Sequence, residues 1–142
     1  MLDLRLPRTI EWVGGLDGHI ALIEQTRLPG ELVILEVRDV ESMWDAIRRL
    51  AVRGAPAIGI AAAMGAVLGV RGFADDDRAA FFAELDRVCQ YLGTSRPTAV
   101  NLAWALTRLR TKAGESPAGV ADLKQLLLDE AKLIRDEDEA MC

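Results

Sequence analysis

The sequence predicts a mainly α-helical α+β fold, in which a small three-stranded antiparallel sheet is followed by a five-helix bundle. Residues 9–37 contain three short strand-type runs separated by turn residues, and after Asp39 the apolar residues recur every three or four positions. A chain of 142 residues with 51% hydrophobic side chains is also large and apolar enough for one compact domain. We therefore expect residues 1–142 to form a single domain, with a β-meander over 1–38 and a helical bundle over 39–142.

The three strands are predicted from their alternating or continuous apolar residues. The first covers residues 9–13 and is followed by the glycine-rich turn 14–18; the second covers 19–26, and the third covers 32–37 after a turn at 28–31. Each connection has about five residues or fewer, which is too short for a crossover helix. The strands are therefore expected to pair antiparallel with their sequence neighbours.

Two helices are predicted directly after the sheet. Asp39 is the expected N-cap of the first, because its carboxylate can accept the unpaired N–H groups of a first turn. The second begins near Pro56, since proline lacks the N–H that would be unpaired at that position. The apolar stripe of the first helix consists of Val40, Met43, Trp44, Ile47, Leu50 and Ala51.

Three further helices are predicted from their start signals. The third begins at Asp75–Asp77, because acidic residues suit the positive end of a helix dipole. The fourth opens at 95–98 and runs to about Lys112, before Gly114, and the fifth opens at Ser116–Pro117. The residues predicted to face inward are Phe82, Leu85, Val88, Cys89 and Leu92 in the third helix and Val120, Leu123, Leu127, Ala131 and Ile134 in the fifth.

Charge and composition argue against several classes of protein. A net charge of −5 argues against a nucleic-acid binder, which needs a basic surface. The uncharged stretch 54–70 is rich in Ala and Gly, so we interpret it as a helix whose Gly65 and Gly69 admit a close neighbour, not as a membrane span. With two cysteines, Cys89 and Cys142, and no secretory leader, the chain is expected in a reducing cytoplasm.

The fifth helix is predicted to reach the last residue with no capping Gly or Pro. This pattern indicates that the chain is cut and not completed; the alternative is that the end of the helix simply frays. The acidic residues Asp129, Glu130 and 136–139 near this end are interpreted as a solvated helix face.

No common catalytic or metal-binding motif occurs in the sequence. The single histidine, His19, lies on a predicted strand and is interpreted as structural, whereas Cys89 lies on an apolar helix stripe, where an inert buried thiol is expected. Nothing in the sequence pairs Glu11, Glu24 or Glu36 for acid–base catalysis. We therefore predict no metal and no cofactor in this chain.

Two helix starts that carry an arginine are candidates for anion binding. At the first, Gly54 and Ala55 precede Pro56, so backbone N–H groups lie near the positive end of the second helix, and Arg53 adds a charge with bidentate reach. At the second, Arg96 precedes the fourth helix. The two sites can converge on a single anion; the alternative is that each arginine is solvated or paired with a carboxylate.

Two longer segments resemble the signatures of methylthioribose-1-phosphate isomerases. They are residues 53–59 (RGAPAIG) and 94–102 (TSRPTAVNL), and the segments 10–12 (IEW), 22–29 (LIEQTRLP) and 137–142 (EDEAMC) fit as well. The resemblance covers nearly the whole chain. It extends more loosely to ribose-1,5-bisphosphate isomerases and to the regulatory subunits of the eukaryotic guanine-nucleotide exchange factor for translation initiation.

The resemblance implies a helical N-terminal domain followed by a larger Rossmann-like domain, with the active site between them. Such an enzyme converts the aldose 5-methylthioribose 1-phosphate to the ketose 5-methylthioribulose 1-phosphate in methionine salvage, a branch of methionine and amino-acid biosynthesis. By the same resemblance, Arg53, Gly54 and Ala55 form a substrate-binding loop and Arg96 is a second substrate-binding arginine. Asn101 shares the second motif and is carried over as a support that orients the loop.

The family's catalytic cysteine and aspartate lie in the second domain, which this chain is expected to lack. Neither Cys89 nor Cys142 matches a catalytic position, so the chain alone is expected to be inactive, and the relatives imply a homodimer formed through the missing domain. Three alternatives stay open. The chain can belong to a ribose-1,5-bisphosphate isomerase, to a regulatory module that binds a sugar phosphate or nucleotide, or to a helical scaffold without a ligand.

Overall fold

The computed structural model describes residues 10–24, 30–49 and 55–140, and it confirms the predicted fold class. An antiparallel sheet of three strands precedes five helices, with the strands in the order β1-β2-β3. Predictions that concern Thr9, residues 25–29, residues 50–54 and residues 141–142 lie outside the described residues. The elements are β1 (Ile10–Val13), β2 (His19–Ile23), β3 (Ile34–Val37), α1 (Val40–Arg48), α2 (Ala55–Val70), α3 (Arg78–Gly93), α4 (Val100–Glu115) and α5 (Val120–Ala140).

The sheet buries one face because apolar side chains alternate along its strands. Trp12 of β1 lies opposite Ile20 of β2, which in turn lies opposite Val37 of β3, and all three are buried. The turn between β1 and β2 needs its glycines, since Gly14 has a φ of 92°. The indole of Trp12 closes this turn by donating a 2.7 Å hydrogen bond to the carbonyl of Gly15.

Aspartates cap two helices, one as predicted and one at a corrected position. The Asp39 carboxylate accepts a 2.7 Å bond from the Ser42 N–H, and this bond lowers the pKa of Asp39. The third helix begins at Arg78 and not at Asp75, because Asp77 is the N-cap residue and accepts a 3.0 Å bond from the Ala79 N–H. Its acidic residues therefore precede the helix instead of forming its first turn.

Three other predictions about the helices are wrong in detail. The inward-facing aromatic residue of α3 is Phe81, which is fully buried, while Phe82 is only half-buried. Helix α4 begins at Val100, after a turn, and ends at Glu115. It continues through Gly114, where an added Cβ would meet no atom within 4 Å. Helix α5 begins at Val120 and not directly after Ser116–Pro117. The predicted stripe of α5 is buried as expected.

Helix α2 lies at the centre of the bundle and packs against the other four helices and β1. Its small residues allow this: a Cβ on Gly65 would lie 2.9 Å from Cγ of Met43 in α1, and one on Gly69 would lie 2.6 Å from Cγ1 of Val88 in α3. The predicted close approach at both glycines is confirmed. Among the described residues, no helix combines the length and the apolar character that crossing a membrane requires.

Arg71, the residue after α2, joins the helical bundle to the sheet. Its guanidinium donates to the carbonyls of Leu16 and Gly18 in the first turn and, at 2.9 Å, to the carbonyl of Arg38 after β3. It also lies 5.8 Å from the ring centre of Trp12. One side chain therefore satisfies three backbone acceptors from two segments of the meander.

Replacing Arg71 with alanine is expected to lower the free energy of unfolding by about 2 kcal/mol, because three carbonyls lose a charged donor and only part of that loss is made good by water. Urea unfolding followed by circular dichroism measures the change. The matched control is Arg38→Ala, since the Arg38 side chain is 59% exposed and pairs with an equally exposed Glu36, and little change is expected. Equal effects of the two substitutions would contradict the assigned role of Arg71.

Candidate functional site

A cavity of about 270 Å³ lies between α2, α4 and α5. It is bordered by the first turns of α2 and α4 and by the C-terminal turns of α5, so residues far apart in the sequence share its wall. The lining is mainly apolar, with polar groups from α4 and α5. The lining residues are Pro56, Gly59, Ile60, Asn101, Trp104, Ile134, Glu137 and Asp138.

The two predicted motifs meet beside this cavity. A Cβ on Gly59 would lie 3.0 Å from the carbonyl oxygen of Asn101, so the absence of a side chain at position 59 is what lets α2 approach the first turn of α4. Gly59 is the last residue of the first motif and Asn101 is the penultimate residue of the second. The structure thus brings the two helix starts together.

Neither helix start at the cavity carries an acidic residue in its first turn. The N-cap of α4 is Ala99, which makes no side-chain capping bond, whereas Asp39 and Asp77 cap α1 and α3. Uncapped N–H groups at the positive end of a helix attract an anion. The start of α4 is therefore electrostatically suited to a phosphate.

The structure places only some of the predicted site residues. Arg53 and Gly54 lie outside the described residues, and Ala55 is the first residue of α2. Arg96 lies in the turn before α4, where its carbonyl accepts a 3.0 Å bond from the Ala99 N–H. Asn101 lies in the first turn of α4 and lines the cavity. The convergence of Arg53 and Arg96 on one anion stays a prediction.

Arg96 itself is half-buried. Within the described residues, its guanidinium has no hydrogen bond or ion pair, so the alternative that it is neutralised there by an internal carboxylate finds no support. A half-buried arginine without a carboxylate partner retains its full capacity to bind an anion.

The turn that carries Arg96 is fixed by hydrogen bonds from neighbouring side chains. The indole N–H of Trp44 in α1 donates to Thr94 Oγ1 at 2.9 Å, and that hydroxyl donates to the carbonyl of Tyr91 at 2.6 Å. Ser95 is fully buried and its hydroxyl donates to the carbonyl of Leu92 at 2.6 Å. These bonds hold the turn in one conformation before any ligand arrives.

Arg108 connects α4 to α5 on the Trp104 side of the cavity. Its Nε donates to Glu130 at 2.6 Å, and its two terminal nitrogens donate to Glu137 at 2.7 and 2.8 Å. The guanidinium also lies 5.5 Å from the ring centre of Trp104. The bidentate bond from Arg108 lowers the pKa of Glu137, so Glu137 is a carboxylate where it lines the cavity.

The prediction that the acidic residues of α5 form a solvated face is therefore wrong for Glu130, whereas Glu137 is exposed as predicted, with 49% of its side chain accessible. Glu130 is buried against Arg108, and Glu137 is shared between Arg108 and the cavity. The sequence did contain a sign of this pairing. Glu130 and Glu137 are seven residues apart, on one face of α5, and Trp104 and Arg108 are four apart, on one face of α4. The spacing alone does not show that α4 and α5 pack against each other, so the ion pairs could not be predicted from it.

A second ion pair joins the buried Glu24 to the exposed Arg49, which lies a few residues before Arg53 in the sequence. Glu24, at the end of β2, is only 4% exposed, and it accepts bonds of 2.8 and 3.0 Å from Arg49. Arg49 also donates to Asp45 at 2.9 Å, and the bonds that Arg49 donates to Glu24 and Asp45 raise its pKa. The end of α1 is thereby anchored to the sheet, and Glu24 is an ion-pair partner.

Cys89 is buried in α3, as predicted, and burial raises the pKa of its thiol to about 11. A thiol with so high a pKa is a poor nucleophile at neutral pH. Within the ranges that the structure describes, no cluster of three or more His, Cys, Asp or Glu side chains could hold a metal ion.

Cys89 is expected to resist labelling by a water-soluble disulfide reagent at pH 8 in the folded protein and to react at once in urea. The unfolded chain loses the thiol proton at an ordinary pKa of about 8.5 and the folded chain at a pKa of about 11, so the free energy of unfolding should fall as the pH rises between these two values. The measurement is thiol titration in a Cys142→Ser background, which leaves Cys89 alone. Rapid labelling of the folded chain at pH 8 would contradict this burial.

Comparison with known proteins identifies the family. The profile of the Initiation factor 2 subunit family matches residues 51–142. A 5-deoxyribose 1-phosphate isomerase from Moorella thermoacetica is 58% identical over 127 residues, which cover 89% of this chain and 36% of that protein. A methylthioribose-1-phosphate isomerase from Geobacter metallireducens is 47% identical over 136 residues, covering 95% of this chain and 38% of that protein.

Two solved structures share the fold. The crystal structure of 5-methylthioribose 1-phosphate isomerase from Pyrococcus horikoshii OT3 superposes with a TM-score of 0.84 at 35% identity, covering 94% of this chain and 37% of that one. Subunit delta of the translation initiation factor eIF-2B from A. fulgidus gives a TM-score of 0.83 at 38% identity, with 94% and 38% covered. The chain spans less than two-fifths of the length of these relatives. Because the profile match covers residues 51–142, which is more than half of the chain, and a relative is 58% identical over 89% of it, the chain belongs to the Initiation factor 2 subunit family.

Proposed function

We propose that this chain is the substrate-binding N-terminal region of an aldose–ketose isomerase that acts on 5-methylthioribose 1-phosphate, or on the similar 5-deoxyribose 1-phosphate. The observation that carries the proposal is Arg96, a half-buried arginine with no carboxylate partner in the described residues, held on a fixed turn before an uncapped helix start. The names of the relatives supply the class of sugar phosphate.

The phosphate group would be bound on the side where the two motifs begin. A phosphate gains from the backbone N–H groups of a helix start and from a guanidinium that binds two of its oxygens at once. Arg96 and the first turn of α4 supply one such set, and Arg53, Gly54 and Ala55 are proposed to supply the other. Asn101 is proposed to orient the second motif, since it contacts α2 at Gly59.

The chemical step moves a hydrogen between C2 and C1 of the sugar, and its catalytic groups are proposed to lie outside this chain. We propose that the complete enzyme functions in methionine salvage in the cytoplasm, as a homodimer formed through a second domain. The 142-residue chain alone is expected to bind the aldose without converting it to the ketose. Formation of 5-methylthioribulose 1-phosphate at enzymatic rates by this chain would contradict the assignment.

Replacing Arg96 with alanine is expected to weaken binding of 5-methylthioribose 1-phosphate at least tenfold, because a charge-assisted contact worth roughly 1.5–3 kcal/mol is lost. Titration calorimetry with the 142-residue chain measures the affinity. Arg87→Ala is the matched control, since Arg87 is an exposed arginine of α3 that pairs with Glu84, and unchanged binding is expected. Unchanged affinity in the Arg96 variant would contradict the proposal.

A second candidate function is a regulatory module that binds a sugar phosphate or nucleotide without turning it over. The specific observation in its favour is the similarity to subunit delta of eIF-2B from A. fulgidus. Titration with a nucleoside 5′-monophosphate separates the two functions. Tight binding of the nucleotide together with no binding of 5-methylthioribose 1-phosphate would favour the regulatory module.

A further inference from the structure

Arg96 lies in a turn, residues 94–99, whose local shape is fixed by its own residues and by the end of α3. The carbonyl of Arg96 accepts a 3.0 Å bond from the Ala99 N–H, which closes a β-turn with Pro97 at the second position, where proline is favoured. On the other side, the hydroxyl and the N–H of Ser95 both donate to the carbonyl of Leu92. The backbone on both sides of Arg96 is therefore set before a ligand binds.

These local bonds do not fix the turn against the neighbouring helix α1. Each joins residues that are three apart in the sequence, so it constrains the turn only relative to itself and to the end of α3. Among the hydrogen bonds of the described residues, the one that ties this turn to α1 is the 2.9 Å bond from the indole N–H of Trp44 to Thr94 Oγ1. The orientation of the turn relative to α1 therefore depends on this bond.

The indole of Trp44 is held in the direction that this bond requires. Its ring stacks on that of Tyr91 in α3, with 5.9 Å between the ring centres and 23° between the planes. Trp44 is half-buried, and the adjacent Met43 is fully buried where α2 approaches at Gly65. A stacked ring on a packed helix has little freedom to turn, so its N–H keeps pointing at the threonine hydroxyl.

The bond between Trp44 and Thr94 is well placed to orient a side chain and poorly placed to stabilise the fold. Thr94 is exposed, so water can replace the indole as a donor to its hydroxyl when the bond is lost. Arg96 is two residues further along the chain, and a guanidinium binds two phosphate oxygens only when its direction is right. A change in the angle of the turn is therefore expected to cost binding and not folding.

We propose that Trp44 is a positioning residue for Arg96: through Thr94 it holds the turn so that the guanidinium of Arg96 faces the phosphate of the bound sugar. This assignment rests on the proposed function, since it requires Arg96 to bind that phosphate. Trp44 lies in α1, outside both motifs, and acts on the ligand only through the turn.

Trp44→Phe removes the indole N–H and keeps an aromatic ring to stack on Tyr91. Titration calorimetry of the 142-residue chain with 5-methylthioribose 1-phosphate is expected to show about fivefold weaker binding, because the loss of one neutral hydrogen bond corresponds to a factor of roughly two to ten. The urea concentration at the unfolding midpoint is expected to stay unchanged.

Trp12→Phe is the matched control, because it removes the same kind of bond in the sheet, outside the two motifs. The Trp12 indole donates to the carbonyl of Gly15 at 2.7 Å, and Trp12 is only 5% exposed, so its bond is shielded from water. The expected effects are reversed: Trp12→Phe lowers the unfolding midpoint and leaves binding of the sugar phosphate unchanged.

Two substitutions at Thr94 test the other end of the bond. Thr94→Val has nearly the same shape and lacks the hydroxyl, so it is expected to weaken binding at least as much as Trp44→Phe. Adding Trp44→Phe to Thr94→Val should then weaken binding no further, whereas additive losses would overturn the proposal. Thr94→Ser keeps the hydroxyl and is expected to bind the sugar phosphate as the wild type does.

A residue that acts through Arg96 has nothing to act on once that arginine is removed. In an Arg96→Ala background, Trp44→Phe is therefore expected to cause no further loss of affinity, although each single substitution weakens binding. A residue with a merely structural role would lower the affinity by the same factor in both backgrounds.

The outcomes separate this assignment from the function on which it rests. If the chain binds neither 5-methylthioribose 1-phosphate nor 5-deoxyribose 1-phosphate, or if Arg96→Ala leaves binding unchanged, the proposed function is contradicted and the role of Trp44 with it. If Arg96→Ala weakens binding and Trp44→Phe does not, only the role of Trp44 is overturned. The same holds if Trp44→Phe causes an equal loss with and without Arg96.

Discussion

Replacing Arg108 with alanine is expected to lower the free energy of unfolding by about 3 kcal/mol, because it leaves the buried carboxylate of Glu130 without its charged partner. The side chain of Glu130 is 9% exposed and that of Arg108 is 20% exposed, so water can replace the guanidinium only in part. Removing one member of a buried pair costs far more than the pair contributes as a whole.

The double variant Arg108→Met, Glu130→Leu tests this explanation. It removes both charges and fills the space with apolar atoms, so most of the stability lost in the single variant should return. Chemical unfolding of the single and double variants supplies the measurement. The control on the same helix is Arg110→Ala, whose pair with Asp86 spans 3.9 Å and is exposed, and little change is expected. A double variant less stable than Arg108→Ala would refute the account.

The second ion pair of Arg108, which it forms with Glu137, predicts that the stability of the protein depends on pH. Because Arg108 lowers the pKa of Glu137, the contribution of this pair is complete above the ordinary glutamate pKa of about 4 and is lost as the pH falls through the lowered value. The stability difference between the wild type and Arg108→Ala should therefore shrink on acidification below pH 4. A difference that stays constant down to pH 2 would show that the Glu137 contact contributes nothing.

The parts of the fold that local sequence specifies were predictable. Asp39 caps α1 because its side chain reaches an N–H only three residues ahead, and the glycines at 14–18 form a turn because no longer-range contact is needed for it. The stripe of α5 is buried as predicted, since a helix with one apolar face has only one way to pack.

The errors arose where tertiary contacts decide. Phe81 and Phe82 are adjacent and equally apolar, and both fit the helical spacing to Leu85, so only the packing of α3 decides which one faces the core. The turn at 94–99 precedes α4 because Thr94 bonds to Trp44, fifty residues away, and Ser95 bonds back to Leu92. Periodicity contains no information about such contacts.

The candidate site was predictable at its motifs and not at its walls. Arg96 follows from a helix start that carries an arginine and Asn101 follows from the resemblance of the second motif, and both lie next to the start of α4. Trp104 and Glu137 were missed because each is an ordinary helical residue until α4 and α5 pack together. Gly59 belongs to the first motif and also lines the cavity, and its lack of a side chain allows α2 to lie close to Asn101 of the second motif.

Replacing Gly69 with valine is expected to destabilise the protein by about 3 kcal/mol, since the new Cβ would lie 2.6 Å from Cγ1 and 3.3 Å from Cβ of Val88. The β-branched Val88 is stiff, so α2 and α3 must move apart. Adding Val88→Ala removes the clash and should recover part of the loss, whereas independent sites would give additive losses. Gly114→Ala is the matched control, because nothing lies within 4 Å of a Cβ there and alanine favours the helix, so a gain of roughly 0.5–1 kcal/mol is expected in the same thermal unfolding experiments. Equal destabilisation by Gly69→Val and Gly114→Ala would contradict the close packing of α2 against α3 at Gly69, because only Gly69 has a neighbour that an added side chain would meet.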